Sequence, residues 1–219
     1  MIKKINILVE GQTEESFVKN ILHPYFSPKN IFLIPTILTT KKNLRGPNHK
    51  GGITSYKQVK NDLLPLFNDS SAKIVTTMID YYALPDDFPG FSQRPEGSSY
   101  KRVKFLEDKF SKDIYKKKFI PYLQLHEFEA LVFANYENLS TAFPGKASKL
   151  NEVKAIVNKF DSPEEINENP NTAPSKRLQK IFGNYRKIFH SQLVLQNVDI
   201  DLLKKSCPHF GAWLTKLEM

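Results

Sequence analysis

The sequence predicts an α/β protein: a mostly parallel four-stranded sheet flanked by helices, followed by a C-terminal helical extension. Three observations predict it. Short β-prone runs alternate with stretches of helical periodicity through the first part of the chain, the pattern of parallel strands joined by crossover helices. Three of the four strand candidates end on acidic residues, at the edge where open α/β sheets place their ligands. Beyond Leu139 only helical patterns occur. The chain is therefore divided into an α/β core over 1–136 and a helical extension over 137–219 packed on that core.

Each element has its own justification. Ile5-Asn6-Ile7-Leu8-Val9 is a β-prone, mostly apolar run that reads as a buried strand ending on the carboxylate of Glu10. Gly11 permits a sharp turn, and Thr13 is placed to cap a helix whose first turn carries Glu14 and Glu15. Phe17, Val18, Ile21 and Leu22 recur at helical spacing, and Pro24 ends that helix near its last turn. Ile31 to Leu38 is a second strand, which Pro35 assigns to a sheet edge or a bulge. Residues 41–52 form a basic, glycine-rich loop. Ile53 to Phe67 is helical, with Val59, Leu63 and Leu64 on one face. Lys73 to Ile79 is the third strand and ends on Asp80. The irregular stretch from Tyr81 to Ser99 contains Pro85, Pro89 and Pro95, and its aromatics Tyr81, Tyr82, Phe88 and Phe91 argue for an ordered loop. Tyr100 to Phe110 is helical. Phe119 to Leu125 is the fourth strand and runs into a helix start at His126-Glu127-Phe128-Glu129. Residues 149–160, 175–182, 185–196 and 199–217 read as helices, and Asp161-Ser162-Pro163-Glu164-Glu165 as a helix start with Pro near its first position.

Charge bounds the partners. With 32 Lys+Arg against 23 Asp+Glu the formal net charge is +9, which favours anionic partners, nucleic acid foremost. The single cysteine, Cys207, excludes an intrachain disulfide framework and fits a reducing cytoplasm. The apolar run after Lys3 and Lys4 stops at Glu10, too short for a secretory signal, and no segment has the length to span a bilayer. The expectation is a cytoplasmic protein with no membrane partner.

If the sheet is parallel, Glu10, Asp80, Glu127 and Glu129 lie on one edge and can converge. Converging carboxylates repel unless protonated or bridged by a cation, and hard oxygen donors suit Mg²⁺ or Mn²⁺. Such an ion activates water and stabilises the leaving oxygen of a phosphodiester. His126 reads either as a general base or metal ligand, or as a histidine that is only hydrogen-bonded. The basic groups Lys41, Lys42, Arg45, His49 and Lys50 read either as a nucleic-acid clamp or as a solvated loop. Ser175-Lys176-Arg177, at a helix start, reads as an anion site built on Lys176 and Arg177. Cys207 and His209, with His190, offer a weak zinc alternative without paired cysteines.

Several motifs together carry a resemblance. They are Glu10-Gly11-Gln12-Thr13-Glu14, Asp80-Tyr81-Tyr82-Ala83-Leu84-Pro85, and Pro121-Tyr122-Leu123-Gln124-Leu125-His126-Glu127-Phe128-Glu129. Ser162-Pro163-Glu164-Glu165-Ile166-Asn167, Pro174-Ser175-Lys176-Arg177-Leu178 and Cys207-Pro208-His209-Phe210 complete the set. The chain resembles, over nearly its whole length, the bacterial family catalogued as domain of unknown function 4276, which looks Toprim-like. That resemblance implies a Rossmann-like core in which a glutamate after the first strand and an Asp-x-Asp after a later one bind divalent metal for phosphodiester chemistry. Glu10 matches the glutamate and Asp80 the first aspartate, while Tyr82 stands at the second. Glu127 is the favoured replacement ligand, with Glu14 and Glu129 near the ion. The resemblance also implies a nuclease acting on DNA or RNA in antiphage defence. Its alternative is a catalytically degenerate nucleic-acid-binding or regulatory subunit beside an ATPase.

Overall fold

The computed structural model describes residues 2–39, 53–167 and 171–219. Strand β1 (Lys3–Val9) is followed by helix α1 (Gln12–Phe17), a π-helical turn (Val18–Leu22) and helix α2 (His23–Phe26). The π turn leads directly into Pro24 at the start of α2, and the α-helical path ends at Phe26, within a turn of the proline. Strand β2 (Ile31–Ile37), helix α3 (Tyr56–Leu63), strand β3 (Ala72–Asp80) and helix α4 (Ser99–Ile114) come next. Two short strands, β4 (Phe119–Ile120) and β5 (Leu123–Gln124), both pair with β3.

The strand order is β2-β1-β3-β4 and every pairing is parallel. Pro35 sits on β2, which pairs only with β1, so the missing amide falls on a sheet edge as anticipated. The expected fourth strand is split. Pro121 has no amide to donate, and the Thr77 hydroxyl bridges the gap by accepting from Tyr122 N (3.0 Å) and donating to Tyr122 O (2.8 Å).

β1 and β3 lie centrally and are covered on both faces, which is why their sequences are nearly continuous apolar runs. The period of two still sorts the side chains. Ile5, Ile7 and Val9 enter one buried cluster with Phe17, Phe128, Phe210 and Trp213. Leu8, Val75 and Ile79 enter the other, with Val103, Leu106 and Phe110 of α4. The loop after Asp80 is held by Phe88, which is buried against Tyr56 and Phe110.

The rest is helical: α5 (Glu129–Ala134), α6 (Leu139–Ala142), α7 (Leu150–Val157), α8 (Pro174–Phe182), α9 (Lys187–Leu195), α10 (Ile200–Ser206) and α11 (Pro208–Glu218). The single helix expected over 199–217 breaks at Cys207-Pro208, because the proline cannot donate into the preceding turn. At Gly211 a Cβ would stand 2.4 Å from the Lys204 carbonyl oxygen, so only glycine lets α10 and α11 pack this closely. These helices share the first buried cluster with β1 and α1 rather than forming a core of their own. No helix among the described residues is long and apolar enough to cross a membrane.

Candidate functional site

The parallel pairing of β1 and β3 decides where the acids fall. Val9 is level with Met78, so Glu10 and Asp80 leave the sheet as neighbours. Glu10 N donates to Met78 O (3.2 Å), and Asp80 N donates to Glu10 Oε2 (3.1 Å). Glu14 belongs to the first turn of α1, and its Oε2 accepts from Gly11 N (2.9 Å). Gly11, not Thr13, therefore precedes the helix as its cap, and its backbone is extended (φ −156°), a conformation open to any residue. Glu129 opens α5 and is 1% exposed. Its Oε2 meets Lys187 Nζ of α9 at 3.2 Å. The Glu127 Oε2 accepts from Ser175 N (2.9 Å), the second residue of α8.

These groups feel one another. Burial, then the charge of Glu14, pushes the Glu10 carboxyl up to about 7, against the pull of the Asp80 amide and Lys187. Burial first, then Glu10 and Glu14, holds Asp80 well above the ordinary carboxylate range, with Lys187 opposing. Burial raises Glu129 to about 7 although Lys187 draws it down, and Glu127 and Glu14 add repulsion. Glu14 is also raised, chiefly by burial. Lys187 keeps 44% of its side chain exposed, yet its ammonium reaches a carboxylate that has almost no exposure. Burial would lower it, but Glu129, Glu127 and Asp80 together hold it above the usual lysine value. Two oxygens, Asp80 Oδ1 and Glu129 Oε1, are buried without a hydrogen-bond partner. Each such atom costs about 1–3 kcal/mol.

In donor chemistry and charge this cluster fits a hard divalent cation: its donors are oxygens, two lack partners, and their repulsion is relieved by positive charge. With the side chains as they stand, no three His, Cys, Asp or Glu groups among the described residues are placed to hold an ion. Holding one requires the carboxylates to draw together. Lys187 is the cation that balances them here.

A groove of about 1160 Å³ opens beside the cluster, reaching it at Glu127 and Lys187. Thr13, Lys176, Arg186 and Phe189 are among its walls.

The fold brings Glu10, Glu14, Asp80, Glu127 and Glu129 into one electrostatic neighbourhood. His126 is placed differently. Its backbone is left-handed (φ 58°), its ring packs beside Tyr81 and Tyr82, and its Nδ1 lies 3.2 Å from Asn167 Nδ2. Burial, with Arg102 nearby, lowers it to about 4, so it is neutral at physiological pH. Among the described residues its side-chain hydrogen-bond partner is Asn167 and not one of the clustered carboxylates, an arrangement that matches the hydrogen-bonded reading. The helix start at Ser175 does hold an anion, but that anion is Glu127's own carboxylate. Lys176 lines the groove, whereas Arg177 donates from Nε to Thr172 O (2.6 Å) and lies by the Phe160 ring. Lys41, Lys42, Arg45, His49 and Lys50 lie outside the described residues. The zinc alternative fails: His209 is engaged by Glu107, and Nδ1 of His190 accepts from Arg186 N (2.7 Å). Lys187 and Arg186 were not singled out from sequence, since a basic pair at a helix start says nothing of which strand end it will face.

The profile of a domain of unknown function, DUF4276, matches residues 9–218. The chain belongs to that family. The matched segment contains every residue of the cluster, Lys187 and the whole groove wall, so the site lies inside the DUF4276 unit. No curated protein and no solved structure matches the chain.

Proposed function

We propose that this DUF4276 protein is a metal-dependent phosphodiester hydrolase of Toprim-like descent acting on DNA or RNA, with Mg²⁺ or Mn²⁺ as its ion. The observation that carries the reading is the convergence of Glu10, Asp80, Glu127 and Glu129 at one end of a parallel sheet, with two buried carboxylate oxygens unpartnered. A buried, mutually repelling set of acids is costly, and a bound cation is the economical explanation for keeping it. Glu10, Asp80 and Glu127 would hold the ion, with Glu14 and Glu129 beside them. The ion would supply an activated water and charge relief at the leaving oxygen. Lys187 brings a fixed positive charge to the edge of the groove, where a phosphate would enter. Lys176 and Arg186 on the groove wall suit backbone phosphates.

The test is metal-dependent cleavage of labelled DNA and RNA by Glu10→Gln and Asp80→Asn. Each substitution is expected to lower the rate about 100- to 1,000-fold, as for loss of a charge-stabilising group at a reacting centre, with circular dichroism unchanged. Full activity in both variants would remove the proposal.

A second reading has its own support: Tyr82 at the second aspartate's place, together with Lys187 already paired to Glu129. On that reading the chain is a degenerate nucleic-acid-binding or regulatory subunit working with an ATPase, and a role in antiphage defence fits either. It predicts oligonucleotide binding that Mn²⁺ does not alter.

A further inference from the structure

The groove beside the cluster has a composition that a double helix does not use well. Ile188 and Phe189, in the first turn of α9, are 43% and 49% exposed, although both are large and apolar. They stand in the groove with three cations, Lys176, Arg186 and Lys187. The Arg186 guanidinium lies 4.6 Å from the Phe189 ring centroid, so a cation and an aromatic face are held together. Tyr185, 6% exposed, lines the same groove, and its hydroxyl has no hydrogen-bond partner. An aromatic surface flanked by cations matches a chain that offers flat apolar faces and phosphates together. In a duplex the base faces are stacked inside and unavailable. In a single strand they are free.

We infer that this groove binds single-stranded nucleic acid, a base stacking on Phe189 and its flanking phosphates meeting Lys176 and Arg186. The inference rests on the nucleic-acid reading of the adjoining carboxylate site and narrows it to strand type. The strand runs along the α8–α9 wall toward Glu127 and Lys187, where the groove meets the acids. Phe189 sets strand preference, since stacking is indifferent to base identity but requires an unpaired base. The two cations act on the backbone and contribute to any nucleic acid, with salt dependence.

The experiment is fluorescence anisotropy in EDTA, with a labelled single strand of about 12 nucleotides, a length within known single-strand sites, and its duplex at fixed ionic strength. The single strand is expected to bind at least about 10-fold tighter than the duplex. Phe189→Ala is expected to weaken single-strand binding about 10-fold, the loss typical of one stacked base, and to leave duplex binding unchanged; Phe189→Trp should retain it. Lys176→Ala with Arg186→Ala should weaken both forms and flatten the salt dependence. Phe189 is half exposed, so its variants should melt with the parent. Equal binding of both forms, or an inert Phe189→Ala, overturns the inference. So does Phe189→Ala converting a dimer to a monomer without affecting oligonucleotide binding, which would assign the face to a second copy. Because binding is read without metal, the two readings fail separately. Selective single-strand binding with no metal-dependent cleavage removes only the hydrolase proposal. Metal-dependent cleavage with no strand preference removes only this one.

Discussion

Two groups of buried acids lie in this molecule, and they are solved in opposite ways. Around His209 each buried carboxylate accepts from two or more donors. Glu164, fully buried, caps α11 by accepting from His209 N (2.9 Å) and Phe210 N (3.0 Å), and Tyr100 OH reaches it at 3.3 Å. Glu107 accepts from Leu123 N (2.8 Å) and from His209 Nε2 (3.0 Å), which must carry the proton because Leu123 O is also within reach. The imidazole stacks on Tyr122, whose ring lies flat against Trp213 at 4.3 Å. At the sheet's edge the opposite holds: Glu10, Asp80 and Glu129 face one another, and two oxygens go unpartnered. The first group ties α4, β5 and α11 together. The second is held in place at a cost the fold does not recover from its own contacts. The lesson is that burial of an acid does not mark a site; burial without satisfaction does.

The contrast can be broken most sharply at Glu164. Glu164→Ala should destabilise the protein by about 2–4 kcal/mol, since it strands two buried helix-end amides, of His209 and Phe210. Urea unfolding measures it, and a loss under 1 kcal/mol would erase the distinction. Lys187→Gln should cost less, about 1 kcal/mol without metal, because Glu129 can answer by taking up a proton. If the cluster holds an ion, Mn²⁺ should raise the melting temperature of that variant more than that of the parent. Asp80→Asn should go the other way, raising metal-free stability by about 1 kcal/mol as a shifted urea midpoint at constant slope, because it removes an acid whose ionisation burial and the neighbouring carboxylates oppose.

The smallest effect concerns pH. Burial works to lower His209, but the hydrogen bond and charge of Glu107, with Glu164, outweigh it and hold the imidazole above its ordinary value. Its contribution is therefore full below the unfolded value of about 6.5 and is lost as pH rises through the higher folded one. Glu164, raised mainly by burial, adds a loss in the same direction at lower pH. Tyr100 and Tyr122, raised by burial, stay neutral over this range. Glu10 and Glu129, held at about 7 chiefly by burial, lose stability in the same direction across this range. Melting temperature should therefore fall from pH 6 to 8 in the parent, and His209→Asn should reduce that slope only in part.

Much of this was legible in the chain. Apolar runs closed by acids announced the sheet and put Glu10, Asp80, Glu127 and Glu129 on one edge, because parallel pairing is enough to fix which end of a strand they share. Pro35 announced the edge strand. What the sequence hid depends on contacts between distant segments. Lys187 lies 58 residues from Glu129, and nothing in the local pattern of α9 says its ammonium will turn inward. His126 stands beside Glu127 in sequence and left both a catalytic and a merely hydrogen-bonded role open; its left-handed backbone sets the ring beside Tyr81 and Tyr82. Residues with the right chemistry were visible; which atoms they would satisfy was not.

The bond from Ser175 N to Glu127 Oε2 has one more consequence. The same carboxylate belongs to the acid cluster and seals the first turn of the helix that walls the groove. Whatever draws that oxygen inward must loosen α8, and whatever settles α8 alters how freely the oxygen can leave. If an ion at the cluster and a ligand in the groove both act on this bond, each would change the other's affinity by an equal factor, a thermodynamic reciprocity carried by a single hydrogen bond.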